Sequence, residues 1–119
     1  MKHLIHLFLL TTIFGSNGCS SDGWIFLFDG KTLDDWKASE NVDSWKIEDE
    51  AIVTSGPRSH LFYNGAVNNH DFKNFELMAT VKALPGANSG VYIHTEFQQE
   101  GWPSKGYECQ VKNTNPNAQ

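Results

Sequence analysis

Gly90-Val91-Tyr92-Ile93-His94-Thr95-Glu96-Phe97, with Gly106-Tyr107-Glu108-Cys109-Gln110-Val111-Lys112 behind it, is the stretch that decides the fold class. Apolar and polar residues alternate along both segments, and a period of two marks a strand with one buried face. Val91 and Ile93 are expected to point inward, which sends Tyr92, His94 and Glu96 outward together. In the second segment Tyr107, Cys109 and Val111 form the apolar row, and Glu108 and Gln110 the polar one. Cys109 reads as a small buried hydrophobe, because a free cysteine is among the most buried residue types.

Working outward, five further extended runs appear: Trp24 to Phe28, Trp45 to Glu48, Ala51 to Thr54, His60 to Tyr63 and Phe72 to Ala83. In the last of these, Phe75, Leu77, Ala79 and Val81 line one side and Glu76, Met78, Thr80 and Lys82 the other. Asp29-Gly30, Asp49-Glu50, Gly56-Pro57, Asn64-Gly65, Pro85-Gly86 and Gly101 lie between the runs and supply turn chemistry. No useful helical period appears. The pattern is all-β and argues for antiparallel strands in a sandwich or jelly roll, with Trp36 and Trp45 in the core.

The chain has 119 residues and a formal charge of −5, with 39% hydrophobic and 19% charged residues. That is one globular domain at most, too apolar for a disordered tail. An acidic balance without a run of Lys or Arg removes the electrostatic footprint that nucleic-acid binding needs.

The N-terminus reads as an address. Lys2 precedes an apolar stretch from Leu4 to Phe14, and small residues lead into Cys19. A positive start, a short apolar run and a small-residue exit are the parts of a secretory signal, and the run is too short to span a bilayer. Gly15-Ser16-Asn17-Gly18-Cys19 resembles the exit of bacterial lipoprotein signals, although Ser16 stands where such signals place an aliphatic residue. Residues 1–18 are therefore expected to be a signal peptide of lipoprotein type, with plain secretion as the alternative. Cys19 is the expected lipidation site, residues 19–23 a short linker, and 24–119 the domain. The expected location is exported, periplasmic or at the outer membrane of a bacterium, with membrane contact only through the lipid on Cys19. With Cys19 lipidated, Cys109 has no partner for an internal disulfide.

Phe26-Leu27-Phe28-Asp29-Gly30-Lys31-Thr32-Leu33-Asp34, Trp36, Trp45-Lys46-Ile47-Glu48-Asp49 and Ser59-His60-Leu61-Phe62-Tyr63 follow one another in order. Pro85-Gly86-Ala87-Asn88-Ser89-Gly90-Val91-Tyr92-Ile93-His94 and Gly101-Trp102-Pro103 through Gly106-Tyr107-Glu108-Cys109-Gln110 continue the series. Together these motifs resemble the 3-keto-disaccharide hydrolase domain family over nearly everything after Gly23. The resemblance implies a concanavalin-like jelly-roll β-sandwich in exported bacterial proteins that act on glycosides oxidised at the third carbon. Asp35 and Glu50 stand where the family usually has glycine, which alters two turns. Family domains continue through further strands beyond the position of Gln119, so the sandwich is expected to be incomplete, its late strands missing and its edges open.

A ketone at the third carbon acidifies the hydrogen on the second, because the carbanion is delocalised as an enolate. Cleavage then needs a base of near-neutral pKa, a donor for the leaving oxygen and a group that holds the enolate. On one strand, His94 and Glu96 would sit about 6.5–7 Å apart on one face, and Glu108 and Gln110 repeat the arrangement. His94, Glu96 and Glu108 are the expected acid, base or metal-binding residues, and a divalent ion held by them would act as Lewis acid at the enolate oxygen. Tyr92, Gln110, His60 and Trp102 are the expected substrate-binding residues, Trp102 through its aromatic face. His70 reads as loop, and Glu48-Asp49-Glu50 as a solvated corner whose carboxylates diverge. The carbohydrate partner is common to two functions, an enzyme and a non-catalytic sugar-binding module; a third reading is a fragment inactive by itself. Replacing Cys19 by alanine should abolish incorporation of a labelled fatty acid in a bacterial host while export continues; label retained in the variant would contradict the lipoprotein reading.

Overall fold

The computed structural model describes residues 3–6 and 23–114. Cys19, most of the expected signal peptide and linker, and residues 115–119 lie outside the described residues. Among the described residues eight strands run in chain order: β1 (His3–His6), β2 (Trp36–Ala38), β3 (Trp45–Glu48), β4 (Ala51–Thr54), β5 (Leu61–Tyr63), β6 (Thr80–Ala83), β7 (Asn88–Ile93) and β8 (Tyr107–Lys112). Among the described residues, the helical structure consists of two 3-10 turns, Val42–Ser44 and Val67–His70. The architecture is all-β with antiparallel pairing throughout, in keeping with a β-sandwich. One sheet has the order β3-β4-β1-β6; β2 pairs with β5, and β7 with β8.

β4 is the centre of the core. Ala51, Ile52 and Val53 are at most 2% exposed, and Leu27, Phe28 and Ala87 are buried with them. A strand hydrogen-bonded on both edges and covered on both faces carries a continuous apolar run, as Ala51-Ile52-Val53 does. β3 and β4 form a hairpin in which Asp49 and Glu50 both have positive φ, 49° and 60°. Positive φ at both central residues is the geometry of a type I′ turn, which favours Asn-Gly or Asp-Gly. Glu50 thus holds a conformation that suits glycine, next to Gly30, where an added Cβ would lie 3.3 Å from the Glu50 Cβ. Lys46 pairs with Glu48 at 2.6 Å.

The other runs differ in detail. Trp24 to Phe28, expected as an extended run, forms no strand; instead the Leu27 carbonyl accepts a hydrogen bond of 3.1 Å from Trp36 Nε1. The following Asp29-Gly30 turn is closed by the Asp29 carboxylate, which accepts from the N–H groups of Lys31 and Thr32 at 2.8 Å each. These bonds, that from Thr32 first, lower the Asp29 pKa. Only Thr80–Ala83 of the run Phe72 to Ala83 is strand; Leu77, Ala79 and Val81 are still less exposed than Met78, Thr80 and Lys82, as the alternation implies. β1 lies between β4 and β6 in register with both, His3 opposite Thr54 and Ala83.

β7 and β8 pair over their full lengths, from Asn88 opposite Lys112 to Ile93 opposite Tyr107. The turn before β7 is fastened to the end of β8: Gly86 N–H donates to the Asn113 carbonyl at 2.9 Å, and Asn113 Nδ2 to the Ala83 carbonyl at 2.8 Å. Cys109 is exposed, against expectation, and Tyr107 is 71% exposed. β7 and β8 form a separate two-stranded sheet, and no described segment covers the row carrying these two side chains. Glu50→Gly, which creates the favoured Asp-Gly pair, should raise stability by about 0.5–1 kcal/mol, the relief of the left-handed penalty less the entropy of glycine. Denaturant unfolding of the two proteins checks this; a destabilised variant would contradict the turn assignment.

Candidate active site

One wall of the site starts where β2 and β5 end. Past the last ladder pair, Ala38 with Leu61, Ser39 and His60 keep the two chains together. Ser39 N–H donates to the His60 carbonyl at 2.9 Å, and His60 N–H donates to Ser39 Oγ at 3.0 Å. Ser39 is 4% exposed, so both bonds are shielded from water. Next to them Trp45 Nε1 donates to Ser59 Oγ at 2.7 Å, and Ser59 Oγ donates in turn to the Glu40 carbonyl. The backbone of His60 is therefore fixed from both neighbours.

The opposite wall is the polar face of β7 and β8. Tyr92 stands across from Glu108 in the ladder and donates its hydroxyl to Glu108 Oε2 at 3.2 Å. The Glu108 side chain folds over Gly90, where a Cβ would come within 2.3 Å of its Oε1. A side chain at position 90 would displace the Glu108 carboxylate from this place, so Gly90 leaves it room to fold over the strand. Gln110 is turned aside, donating to Asn88 Oδ1 at 3.0 Å and the Ser89 carbonyl at 2.9 Å. The two walls meet at their rings: His60 lies edge-on to Tyr92, centroids 5.9 Å apart, and edge-on to Trp102 at 5.3 Å. All seven residues expected at the site, His60, Tyr92, His94, Glu96, Trp102, Glu108 and Gln110, line one cleft of about 1270 Å³.

Within the cleft their situations differ. β7 ends at Ile93 because His94 has φ 53°, in the left-handed region, and Gly106 packs on the Ile93 and His94 carbonyls, leaving no room for a Cβ. The alternation that would put His94 and Glu96 on one strand face is broken there. His94 is exposed beside Phe75, ring centroids 5.5 Å apart. Glu96 lies at the rim, 73% exposed, with both carboxylate oxygens 3.0 Å from Lys105 Nζ. Among the described residues no group of three or more His, Cys, Asp or Glu is arranged to hold a metal ion, so His94, Glu96 and Glu108 do not form the donor set expected of them.

His60 emerges as the most distinctive titratable group. Burial lowers its pKa below the ordinary 6.5, and Arg58 does so too, against the opposing effects of Glu40 and Glu108. Its Nδ1 is buried and has no hydrogen-bond partner among the described residues, as is Thr95 Oγ1, also on the cleft wall. The Tyr92 phenol is pushed up, by burial first and then by Glu108, so it stays protonated well above neutral pH. A half-buried imidazole of lowered pKa lies beside a phenol hydrogen-bonded to a carboxylate, which is an arrangement suited to moving a proton.

Several residues here carry no signal in the sequence. Ser39, Glu40, Arg58, Thr95 and Gln98 are ordinary polar residues in turns, and only the pairing of β2 with β5 brings the first three to the site. His70 is in the second 3-10 turn, its Nδ1 3.4 Å from the Gly65 carbonyl, as befits loop.

Residues 23–119 match the family described as the 3-keto-alpha-glucoside-1,2-lyase-like domain. A 3-keto-disaccharide hydrolase of Bacteroides thetaiotaomicron is 38% identical over 79 residues, covering 60% of this chain and 27% of that relative. The chain thus matches little more than a quarter of that relative's length. No solved structure matches the chain. With the motif series spanned from end to end by this match, the chain belongs to the 3-keto-alpha-glucoside-1,2-lyase-like domain family.

Proposed function

We propose that this chain forms the catalytic cleft of an exported enzyme that cleaves 3-keto-glycosides, 3-keto-disaccharides among them, by proton abstraction beside the ketone. The observation that carries the reading is the meeting of His60 with the Tyr92–Glu108 pair across one cleft. In the reaction, neutral His60 takes the proton from the second carbon, and the electron pair left behind spreads into the ketone as an enolate. When the enolate collapses, the bond between the first carbon and the glycosidic oxygen breaks. The departing oxygen receives a proton from Tyr92, whose hydroxyl Glu108 orients. Water then adds across the new double bond: its oxygen bonds to the first carbon, its proton goes to the Tyr92 phenolate, and the His60 imidazolium, its proton exchanged with solvent, protonates the second carbon, so the net change is hydrolysis. His94, at the same cleft, contacts the sugar hydroxyls, whereas Gln110, committed to Asn88 and Ser89, does not. Export and a lipid on Cys19 belong to the same proposal, supported by Lys2, the apolar stretch from Leu4 to Phe14 and the small residues before Cys19; cleavage before Cys19 removes β1, so the mature sheet forms without the strand that lies between β4 and β6.

A second reading, sugar binding without turnover, is favoured by one feature, the 59% exposed indole of Trp102 at the cleft. The two readings separate on release of 3-keto-glucose from a 3-keto-disaccharide by the full chain. Under the first, His60→Gln and Glu108→Gln each lower kcat/KM by roughly 10²–10⁴-fold, the usual worth of a placed proton-transfer group. Undiminished turnover in both variants would remove the assignment, and binding with no turnover in the wild type would establish the second reading.

The direction of the His60 shift gives a pH dependence. Because the folded state holds a neutral imidazole below pH 6.5, kcat/KM should rise with pH on a limb whose midpoint lies below 6.5. The unfolded chain binds the proton more readily than the folded one, so the contribution to stability is complete above about pH 6.5 and lost as pH falls through the folded pKa. Thermal unfolding from pH 7.5 to 5 should show a fall that is shallower in His60→Gln; equal slopes would contradict the buried neutral state.

A further inference from the structure

The segment from Phe97 to Ser104 joins the two walls, and its shape is imposed by side chains that do not touch the reacting groups. Gln98 folds it internally: its Nε2 donates to the carbonyls of Glu100 and Trp102 at 2.6 and 2.7 Å, and its Oε1 accepts from Ser104 N–H at 3.2 Å. The segment is fastened to the β2–β5 wall at three points. Phe97 packs edge-on to Phe62 at 5.2 Å with Lys37 Nζ 3.7 Å over its ring. Gln99 Nε2 donates to the Ser39 carbonyl at 3.0 Å. Gly101 N–H donates to Glu40 Oε1 at 3.2 Å.

Glu40 does more than hold that amide. Its Oε1 also accepts from Arg58 Nε at 2.7 Å, and the guanidinium lies over the Trp102 ring, 5.6 Å from its centroid. The carboxylate therefore fixes both the backbone that carries Trp102 and the cation that backs its ring. His60 meets the same indole edge-on at 5.3 Å, and 59% of Trp102 remains exposed. Glu40 is outside the cleft, whereas Arg58 and Trp102 line it. An ion pair this exposed contributes little to global stability, so its consequence is local order.

We propose that Glu40 is a positioning residue that, through Arg58 and Gly101, sets the Trp102 indole as a fixed platform on which a pyranose ring of the substrate stacks. This inference rests on the glycoside reading of the cleft. It makes Glu40 a determinant of substrate affinity rather than of the proton transfers.

The test compares the full-length wild type with Glu40→Ala, Glu40→Gln, Trp102→Ala and the double variant Glu40→Ala with Trp102→Ala. On a 3-keto-disaccharide, Trp102→Ala and Glu40→Ala should each raise KM by about 2- to 12-fold, the worth of one aromatic stacking contact. In Glu40→Ala the change should fall on KM and not on kcat. The double variant should be no worse than Trp102→Ala alone, because a positioner has nothing left to position. Glu40→Gln, which keeps an acceptor for Gly101 but loses the charge, should lie between. In parallel, acrylamide quenching should be stronger in Glu40→Ala than in wild type, and that increment should vanish in the Trp102→Ala background. Multiplicative effects on KM, a loss in kcat at unchanged KM, or quenching unaffected by Glu40→Ala would each overturn the proposal. Absence of any turnover in the wild type would sink the glycosidase reading instead, and quenching would then still decide whether Glu40 fixes the indole.

Discussion

The reciprocal pair of hydrogen bonds between Ser39 and His60 is the constraint on which the rest of the site depends. It prolongs the β2–β5 ladder by one residue, using a side-chain hydroxyl where the ladder itself would use a carbonyl. A buried serine left without these partners would be costly, on the order of 1–3 kcal/mol for an unsatisfied group, so the junction tolerates little rearrangement. From that fixed backbone the imidazole reaches the Tyr92 and Trp102 rings, and Arg58, two residues earlier, reaches Glu40. The two walls of the cleft are thus held by a few polar contacts and not by apolar packing alone.

Much of this was legible in the residues. The alternation in Val91-Tyr92-Ile93 and in Tyr107 through Val111 foretold two strands, and their pairing puts Tyr92 opposite Glu108 on one face. Alternation fails where backbone conformation changes hand. At His94 a positive φ ends the strand, so Glu96 leaves the row and meets Lys105 in solvent. Nothing in the letters of His94-Thr95-Glu96 marks that turn, since a left-handed residue there is imposed by Gly106 against the same backbone. The error at Cys109 has another origin: a row of apolar character predicts a buried face only if a second layer covers it, and sequence alternation carries no information about that layer. Trp36–Ala38 carries no strand signal because three residues are too few to show a period, and its strand character comes from Leu61–Tyr63 opposite.

Family membership and geometry contribute differently to the functional account. Fold and family restrict the chemistry, whereas roles for particular side chains must come from their environments. The environments reorder the candidates. Glu96, neutralised at the rim, offers little to a reacting centre. His60, which from its sequence position could have been plain surface, sits half-buried with an unpartnered nitrogen and a depressed pKa. Desolvation is the reason for that change in standing, and desolvation is a property of the assembled walls that no local motif expresses.

The central claim, that the cleft removes the proton beside the ketone, is tested most directly by exchange at that carbon. A 3-keto-disaccharide incubated with the full chain in heavy water and followed by proton NMR should lose the signal of the hydrogen on the second carbon, or give product carrying deuterium there. That exchange should drop to background in His60→Gln. Product formed with the original hydrogen retained at the second carbon would contradict the account.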